Sequence, residues 1–450
     1  MPRSLSRPRG AHGPVLRVSA IPPEEFGPTA GAQAVRDAAT TQAVTSAGWG
    51  SFTTLSPANT AAENQTLIDD DATGRIWWPK GTGAGYSPST SEFSIKPGQE
   101  HRLESIAGRT RTSSDSAIIT PTGNYGFQTP GAGGAPIILR GGVITGADLY
   151  GLVVNNNPGF VMTDTICELG NTGILIQYSS TIQRCIFRDN TNKGIGASSS
   201  WTTLVLENIE IDNNNTSQTA PDVDSSGCKI LLSGGAGTES LTVQGIWAHD
   251  NYGRGFWCDS MHAGSVLIEE SVFENNAWNG FMYEESWGTS IARRLYVTGN
   301  CWETGVGAGN WNRMCQVLYS RSNGNDGGGG GHGFSNNWIV GTGDTAPIAL
   351  IDNLPSNREM SAFNAHDNDI YFDSTFHERI GGKFGPGEDI PNSELYIADN
   401  NIFDFNTYHA PDTSLAYWVW GTPGGDSQTE LTFAQWQAFS QDVNSTFEVI

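Results

Sequence analysis

Short apolar alternations recur along this chain at a spacing in the low twenties, each opened by a glycine and preceded by an asparagine turn. Two segments superpose at a shift of 25 residues: Gly255-Phe256-Trp257-Cys258-Asp259 falls on Gly280-Phe281-Met282-Tyr283-Glu284, with Asn251 and Asn276 four residues ahead of each. A strand points successive side chains to opposite sides. Phe256, Cys258, Phe281 and Tyr283 are therefore expected inside, while Trp257, Asp259, Met282 and Glu284 face out. A second strand per coil reads from Val243-Gln244-Gly245-Ile246, Leu267-Ile268-Glu269-Glu270 and Ala292-Arg293-Arg294-Leu295. Glu269 and Arg294 lie 25 residues apart at equivalent places, which predicts a surface ion pair worth roughly 0 to 1 kcal/mol.

Turn asparagines at Asn190, Asn214, Asn251, Asn276, Asn300 and Asn323 give steps of 24, 37, 25, 24 and 23, the long step predicting an insertion at about 216–226. Glycine-led strands follow at Gly151, Gly173, Gly194, Gly227, Gly255, Gly280 and Gly305. Asparagine tolerates a left-handed backbone, and its amide can bond the same amide one coil above. A repeat of this period predicts an all-β solenoid of stacked parallel strands. Roughly ten coils rising ~4.8 Å each make a rod on the order of 50 Å long.

Composition agrees: 56 glycines and only 16% charged residues suit neither a helical bundle nor one sandwich of this length. Residues 1–17 carry Arg3, Arg7, Arg9 and Arg17 and no acid, whereas the remainder carries 20 basic and 47 acidic side chains. That arm holds Pro2, Pro8 and Pro14 and lacks the apolar run of a secretory signal. No stretch is long enough to span a membrane, and the acidic body argues against nucleic acid as its partner. Residues 32–47, alanine-rich and free of proline, predict a helix between arm and rod that could dock on something larger. Three segments result: 1–60, an arm and attachment helix; 61–425, the solenoid; and 426–450, a cap. In the cap, Thr432 followed by Gln435 is a capping-box pattern opening a short helix, with Phe433, Trp436 and Phe439 on one side to plug the open end.

The run Leu67-Ile68-Asp69-Asp70-Asp71 through Arg75-Ile76-Trp77-Trp78-Pro79-Lys80-Gly81-Thr82 resembles the first coil of right-handed parallel β-helix proteins of the pectate-lyase-like superfamily. The repeats running from His249 to Trp257 and from Glu274 to Phe281, and the terminal Leu431-Thr432-Phe433-Ala434-Gln435-Trp436, are similar to the same superfamily. The resemblance covers about residues 60–445 and implies the fold. Superfamily members include polysaccharide lyases, glycoside hydrolases, and tail spikes and minor tail proteins of tailed phages, so the fold does not choose among functions.

Candidate chemistry lies on the outward face of the two best coils. Asp259 and Glu284 should sit one above the other, with Glu285, His262 and His249 close in sequence. Paired carboxylates at that spacing suit a glycosidase, because one of two close acids has its pKa raised and can serve as general acid. Trp257, Trp278, Trp287, Trp302 and Trp311 are candidate stacking platforms for sugar rings, and Gly307 and Gly309 a shallow floor beside them. Asp69, Asp70 and Asp71 lack the spaced ligands of a calcium loop, and His332 in its glycine run has no second ligand in spacing. No metal or cofactor is implied. Cys167, Cys185, Cys228, Cys258, Cys301 and Cys315 show no paired metal spacing and several fall on the interior parity. Two function classes follow. One is a virion tail spike or minor tail protein, homotrimeric, joined to other tail or baseplate proteins by its arm and reading a cell-surface polysaccharide. The other is an extracellular polysaccharide-active enzyme using Asp259 and Glu284.

Overall fold

The computed structural model describes residues 30–81, 85–87, 92–109, 116–129, 134–155, 157–198, 200–218, 226–232, 237–302, 315–320, 331–341, 346–352, 362–372, 380–384, 401–421 and 428–450. Among them, sheets of 21 and 13 strands run along a solenoid whose strands pair in parallel. The exception is the antiparallel pair Trp418–Gly421 with Gln428–Leu431. This is the expected right-handed parallel β-helix. Its long sequence step is an excursion from the coil: Lys193–Ala197 pairs directly with Ser226–Leu231 across it.

The larger sheet is folded along its length. Strands Thr203–Asp212, Ser240–His249, His262–Glu274 and Trp287–Thr298 each run through a bend at one residue of left-handed backbone. Those residues are Asn208, Gly245, Glu270 and Arg294, with φ of 55°, 69°, 51° and 54°. L-residues enter that region at a cost, so its recurrence on successive coils reflects the corner the fold requires. The folded sheet supplies two faces of the coil and the 13-stranded sheet the third.

Asparagines stack at the corners. Asn190, Asn214, Asn251, Asn276 and Asn300 are all buried, and each Nδ2 donates to the next Oδ1 at 2.8–2.9 Å. The same Oδ1 also accepts the preceding asparagine's backbone N–H, as Asn276 Oδ1 does from Asn251 N at 3.2 Å. This ladder ends on Gln316 Oε1, which accepts from Asn300 Nδ2 at 2.9 Å. Asn323, its expected next rung, lies outside the described residues. A second ladder, Asn337 to Asn368 to Asn406 to Asp442, starts at the other corner with 2.9 Å steps. The glycines that open each strand are there for close approach. A Cβ on Gly255 would lie 2.7 Å from both Gly280 O and Asn276 Nδ2, a contact nothing larger than hydrogen can make.

Inside, Phe256, Cys258, Phe281 and Tyr283 are fully buried, on the parity the alternation assigns. Stacked rings fill the core, Phe273 on Phe281 at 5.9 Å among them. His332 joins them in strand His332–Ser335, its Nδ1 2.8 Å from Ser290 Oγ, so it is a core residue and not a loop ligand. The six cysteines are free thiols, five of them buried, and burial pushes the thiols of Cys167 and Cys228 well above their ordinary value.

Both ends are capped. Helix Ala61–Asp69 carries a Thr60/Glu63 capping box and buries Ile68 in the core, while Asp71 is a turn residue, accepting from Thr53 Oγ1 and Thr73 Oγ1 at 2.7 Å. Helix Phe433–Gln437 opens with the Thr432/Gln435 box and buries Trp436, whose Nε1 donates to Asp442 Oδ2 at 2.7 Å. Strand Thr446–Val449 then pairs with Thr407–Ala410.

Two expectations are corrected. The helix expected over 32–47 spans only Gly31–Ala38, and it docks on the rod itself: Ala32 and Val35 pack on Val272, with Ala38, Trp247 and Tyr296 around them. Arg36 clamps Glu274 through Nε at 2.9 Å and Nη2 at 2.6 Å, so this helix's apolar face is already covered. The Glu269–Arg294 pair is not surface decoration. The register slips between His262 and Ser265, which places Arg293 opposite Glu269. Arg294 then bridges Glu269 at 3.1 Å and the fully buried Glu270 at 2.6 Å.

Candidate functional site

The outer face of the 13-stranded sheet is built in columns, because in-register parallel strands place equivalent side chains directly above one another. One outward column runs Leu175, Gly196, Lys229, Trp257, Met282, Leu318. Its neighbour includes Leu231, Asp259 and Glu284. Gly196 leaves a gap in the first column, and a cleft of about 350 Å³ opens there, lined among others by Tyr150, Asn171, Gln177, Lys193, Ser198 and Lys229. A Cβ on Gly196 would sit 3.3 Å from Lys193 Cδ, so the lysine stem lies across the glycine and along the floor. On the rim, Tyr150 stacks on Tyr125 with ring centroids 5.8 Å apart and planes within 7°.

Lys229 joins the cleft to the carboxylates anticipated from the repeat. Its Nζ lies 3.0 Å from Asp259 Oδ2 and 3.7 Å from the centre of the Trp257 ring. Asp259 and Glu284 are register partners on adjacent coils, both half-buried, as their 25-residue spacing requires. Glu285 turns the corner with φ 47°. His262 opens the strand beyond it and pairs with Trp287. The four candidates thus gather around one corner, with Asp259 charge-paired by a lysine.

The tryptophans divide differently. Trp257 faces away from the coil interior yet is only 3% exposed. It packs in a second apolar layer with Met282, Leu318 and Cys315, under Lys229 and under the Arg254 guanidinium at 4.1 Å. Trp278 is fully buried, and Arg254 also covers it at 4.9 Å. Neither is a platform for a sugar. Trp302 is half exposed, its Nε1 tied to Asn275 O at 2.7 Å. The backbone of Trp287 is in strand Trp287–Thr298 and its side chain is outside the description. Trp311, Gly305, Gly307 and Gly309 lie outside the described residues.

The alternation does not foretell a second cluster, on the outer face of the large sheet beneath helix Gly31–Ala38. Glu210, Asp212 and His249 bring ligand-type atoms within 4.8 Å of one another. His249 Nε2 is 3.4 Å from Glu210 Oε1, and its Nδ1 is 2.7 Å from Asp250 Oδ2. The ring stacks on Trp247 at 3.9 Å. Burial lowers the affinity of His249 for a proton, but the Glu210 hydrogen bond and the Asp212 charge outweigh it, and the pKa is raised. Asp212 is pushed up to about 6, chiefly by burial. Arg109 already places a guanidinium 2.9 Å from Glu210 and 4.4 Å over Trp247. The cluster is a charge network, and Arg109 links it to helix Gly31–Ala38 by donating also to Arg36 O.

These features define a class: a right-handed parallel β-helix with a polar cleft on the outer face of one sheet. Residues 150–323 match the family model described as right handed beta helix region. Among solved structures, the chain is similar to the A-module of the mannuronan C-5 epimerase AlgE6 of Azotobacter vinelandii, at 12% identity over 86% of this chain and 94% of that one, with a TM-score of 0.39. It is also similar to the catalytic domain of a GH87 α-1,3-glucanase in complex with tetrasaccharides, at 11% identity over 90% of this chain and 69% of that one, TM-score 0.49. Both likenesses are of fold alone. No curated protein sequence matches.

Proposed function

We propose that this chain is a polysaccharide-recognition rod whose ligand lies in the Tyr150–Lys229 cleft, and that it serves as a tail spike or minor tail protein reading a cell-surface glycan. The observation that carries the recognition reading is the cleft itself: a lateral groove over Gly196 with amide, hydroxyl, ammonium and aromatic groups converging on it, the lining a hydroxyl-rich ligand needs. In the virion setting residues 1–29 would join the tail, and the rod would assemble as a trimer.

A catalytic reading is favoured by the register pairing of Asp259 with Glu284 beside the cleft. One experiment addresses both. The full chain and an Asp259→Asn, Glu284→Gln variant are incubated with bacterial surface and plant polysaccharides, scoring binding and release of reducing or unsaturated ends. Binding by the full chain without release is the expected result for a recognition rod; the variant removes the Asp259 partner of Lys229, so release and not affinity separates the two readings. Release abolished in the variant would establish an enzyme instead, and no binding to any glycan would refute the reading. Light scattering that returns a monomer would refute the trimeric spike.

A further inference from the structure

We propose that copies of this chain pack side by side, parallel and in register, through the outer face of the large sheet ahead of its bend; the inference rests on the trimeric reading above and supplies its interface. Strand alternation turns every second residue of that face outward, and register stacks them into three columns. The middle column runs from Ile138 to Ile291 through Val161, Val205 and Leu267, with Thr181 and Thr242 as its remaining members. One flank is short and polar, with Ser179, Thr203, Ser240, Ser265 and Thr289. The other is long and polar, with Gln183, Glu207, Gln244, Glu269 and Arg293. The middle column stays open: Val161, Val205 and Leu267 are half-buried, and Ile291 is 39% exposed. Beyond the bend the same sheet is covered by helix Gly31–Ala38, and the cleft lies on the 13-stranded sheet, which this packing leaves free.

The occupant that fits this face is a second copy of the chain, and the two flanks say how it lies. Rotation about an axis parallel to the rod sets the middle column on itself, coil by coil, and brings the long flank of one copy over the short flank of the next. Gln183 then meets Ser179, Gln244 meets Ser240 and Glu269 meets Ser265, a long side chain against a short one and a hydroxyl against an amide or carboxylate each time. Antiparallel rods centred on Val205 would instead set the long flank on itself, Glu207 against Glu207 and Arg140 against Arg293. The long flank is also ready to be covered. Gln183 Nε2 donates to Glu207 Oε2 at 2.7 Å, Arg293 bonds Glu269 through Nε and Nη2 at 2.9 and 2.7 Å, and Arg140 bonds Glu100 at 3.0 Å. A neighbour packed there buries no charge that lacks a partner. The coils from Ile138 to Ile291 give a face about 34 Å long, and the three columns make it about 15 Å wide. A pair of copies therefore covers about 1,000 Å² in total, at the threshold of a specific interface. The relation is the same for two copies or three about the axis.

The test is sedimentation of the full chain over a wide concentration range, beside Thr242→Arg and Thr242→Cys. Thr242 is half-buried and lies mid-column between Val205 and Leu267, so an arginine there reaches water in a lone copy and falls on the axis between copies. The native chain should sediment as an oligomer, and Thr242→Arg should weaken its association about tenfold or more, with an unchanged circular dichroism spectrum. Oxidation of Thr242→Cys by diamide, which is reduced to the hydrazine as two thiols form a disulfide, should link one copy to the next through that position. The native chain treated alike controls for its own thiols. An oligomer indifferent to Thr242→Arg, with no link in Thr242→Cys, overturns this interface and leaves the trimeric reading standing. Links formed only when Thr181→Cys is mixed with Thr242→Cys would overturn the parallel register. A native chain that sediments as a monomer throughout overturns the inference and the trimeric reading together, while glycan retention by that monomer would leave the cleft reading intact.

Discussion

Replacing Asn251 with alanine tests whether the asparagine ladder or the apolar filling sets the stability of the coils. The Asn251 side chain is fully buried. Its Oδ1 accepts from Asn214 N at 3.0 Å and from Asn214 Nδ2 at 2.9 Å. Its Nδ2 donates to Ile211 O, His249 O and Asn276 Oδ1, each at 2.9 Å. Alanine removes all of these and takes the acceptor from Asn214 N, while Asn276 Oδ1 keeps the backbone N–H of residue 251 and Asn214 Nδ2 keeps Phe187 O. At about 1 kcal/mol for each bond lost, and more where a buried group is orphaned, the loss should be on the order of 4 kcal/mol. Gln183→Ala is the control, since its amide makes one part-buried bond, to Glu207 Oε2 at 2.7 Å; that change should cost about 1 kcal/mol. Stacked repeats need not unfold in one step, so the assay is thermal melting at fixed scan rate together with hydrogen exchange at the Asn214, Asn251 and Asn276 amides. Exchange should accelerate on those rungs first. A melting shift in Asn251→Ala no larger than that in Gln183→Ala, with the three amides still protected, would refute the argument.

Two further outcomes follow from the corners. Arg294→Met strands the fully buried Glu270, whose ion pair with Arg294 is 2.6 Å long, and should destabilise the chain by about 3 kcal/mol in denaturant titration; a loss under 1 kcal/mol would mean the pair is not needed. His249 has a raised pKa in the folded chain, so the stability it contributes is complete below the ordinary histidine value and is lost as pH rises through the raised folded value. Asp212, pushed up to about 6, shifts the same way: its neutral form is favoured by folding, and that contribution fades as pH rises from about 4 through 6. The melting temperature of the native chain should therefore exceed that of His249→Gln most near pH 5, with the gap closing toward pH 9. A gap that widens with pH would overturn the assignment.

The repeat is readable because two short-range rules coincide in it. Strand parity places Phe256, Cys258, Phe281 and Tyr283 inside, and turn chemistry puts asparagine where one amide can bond the next. Parity says which side of a strand a residue occupies; it does not say what lies on that side. Trp257 is on the outer side and buried nonetheless, because Arg254 and Lys229 lie over its ring from the same coil and the one before. Register is equally fragile. One irregularity between His262 and Ser265 turns a 25-residue offset into 24, which moves Arg293 opposite Glu269 and sends Arg294 onto Glu270.

The cleft escapes a reading by repeat for a related reason. Its sequence signal is present in Lys193 and Gly196 within one strand and Lys229 on the next, but a glycine in a polar strand reads as a weak strand residue until the coil spacing shows that a lysine lies across it. The carboxylate pair emerges from counting identical places on two coils, whereas the cleft arises where one coil departs from its neighbours. In a solenoid the repeat specifies the scaffold, and a departure from it creates relief on an otherwise flat face. In this chain the outward Gly196 opens a cleft, whereas the outward Trp257 is covered and 3% exposed. An outward aromatic can be covered by its neighbours, as Trp257 is by Lys229 and Arg254, while a missing side chain leaves a space, as Gly196 does.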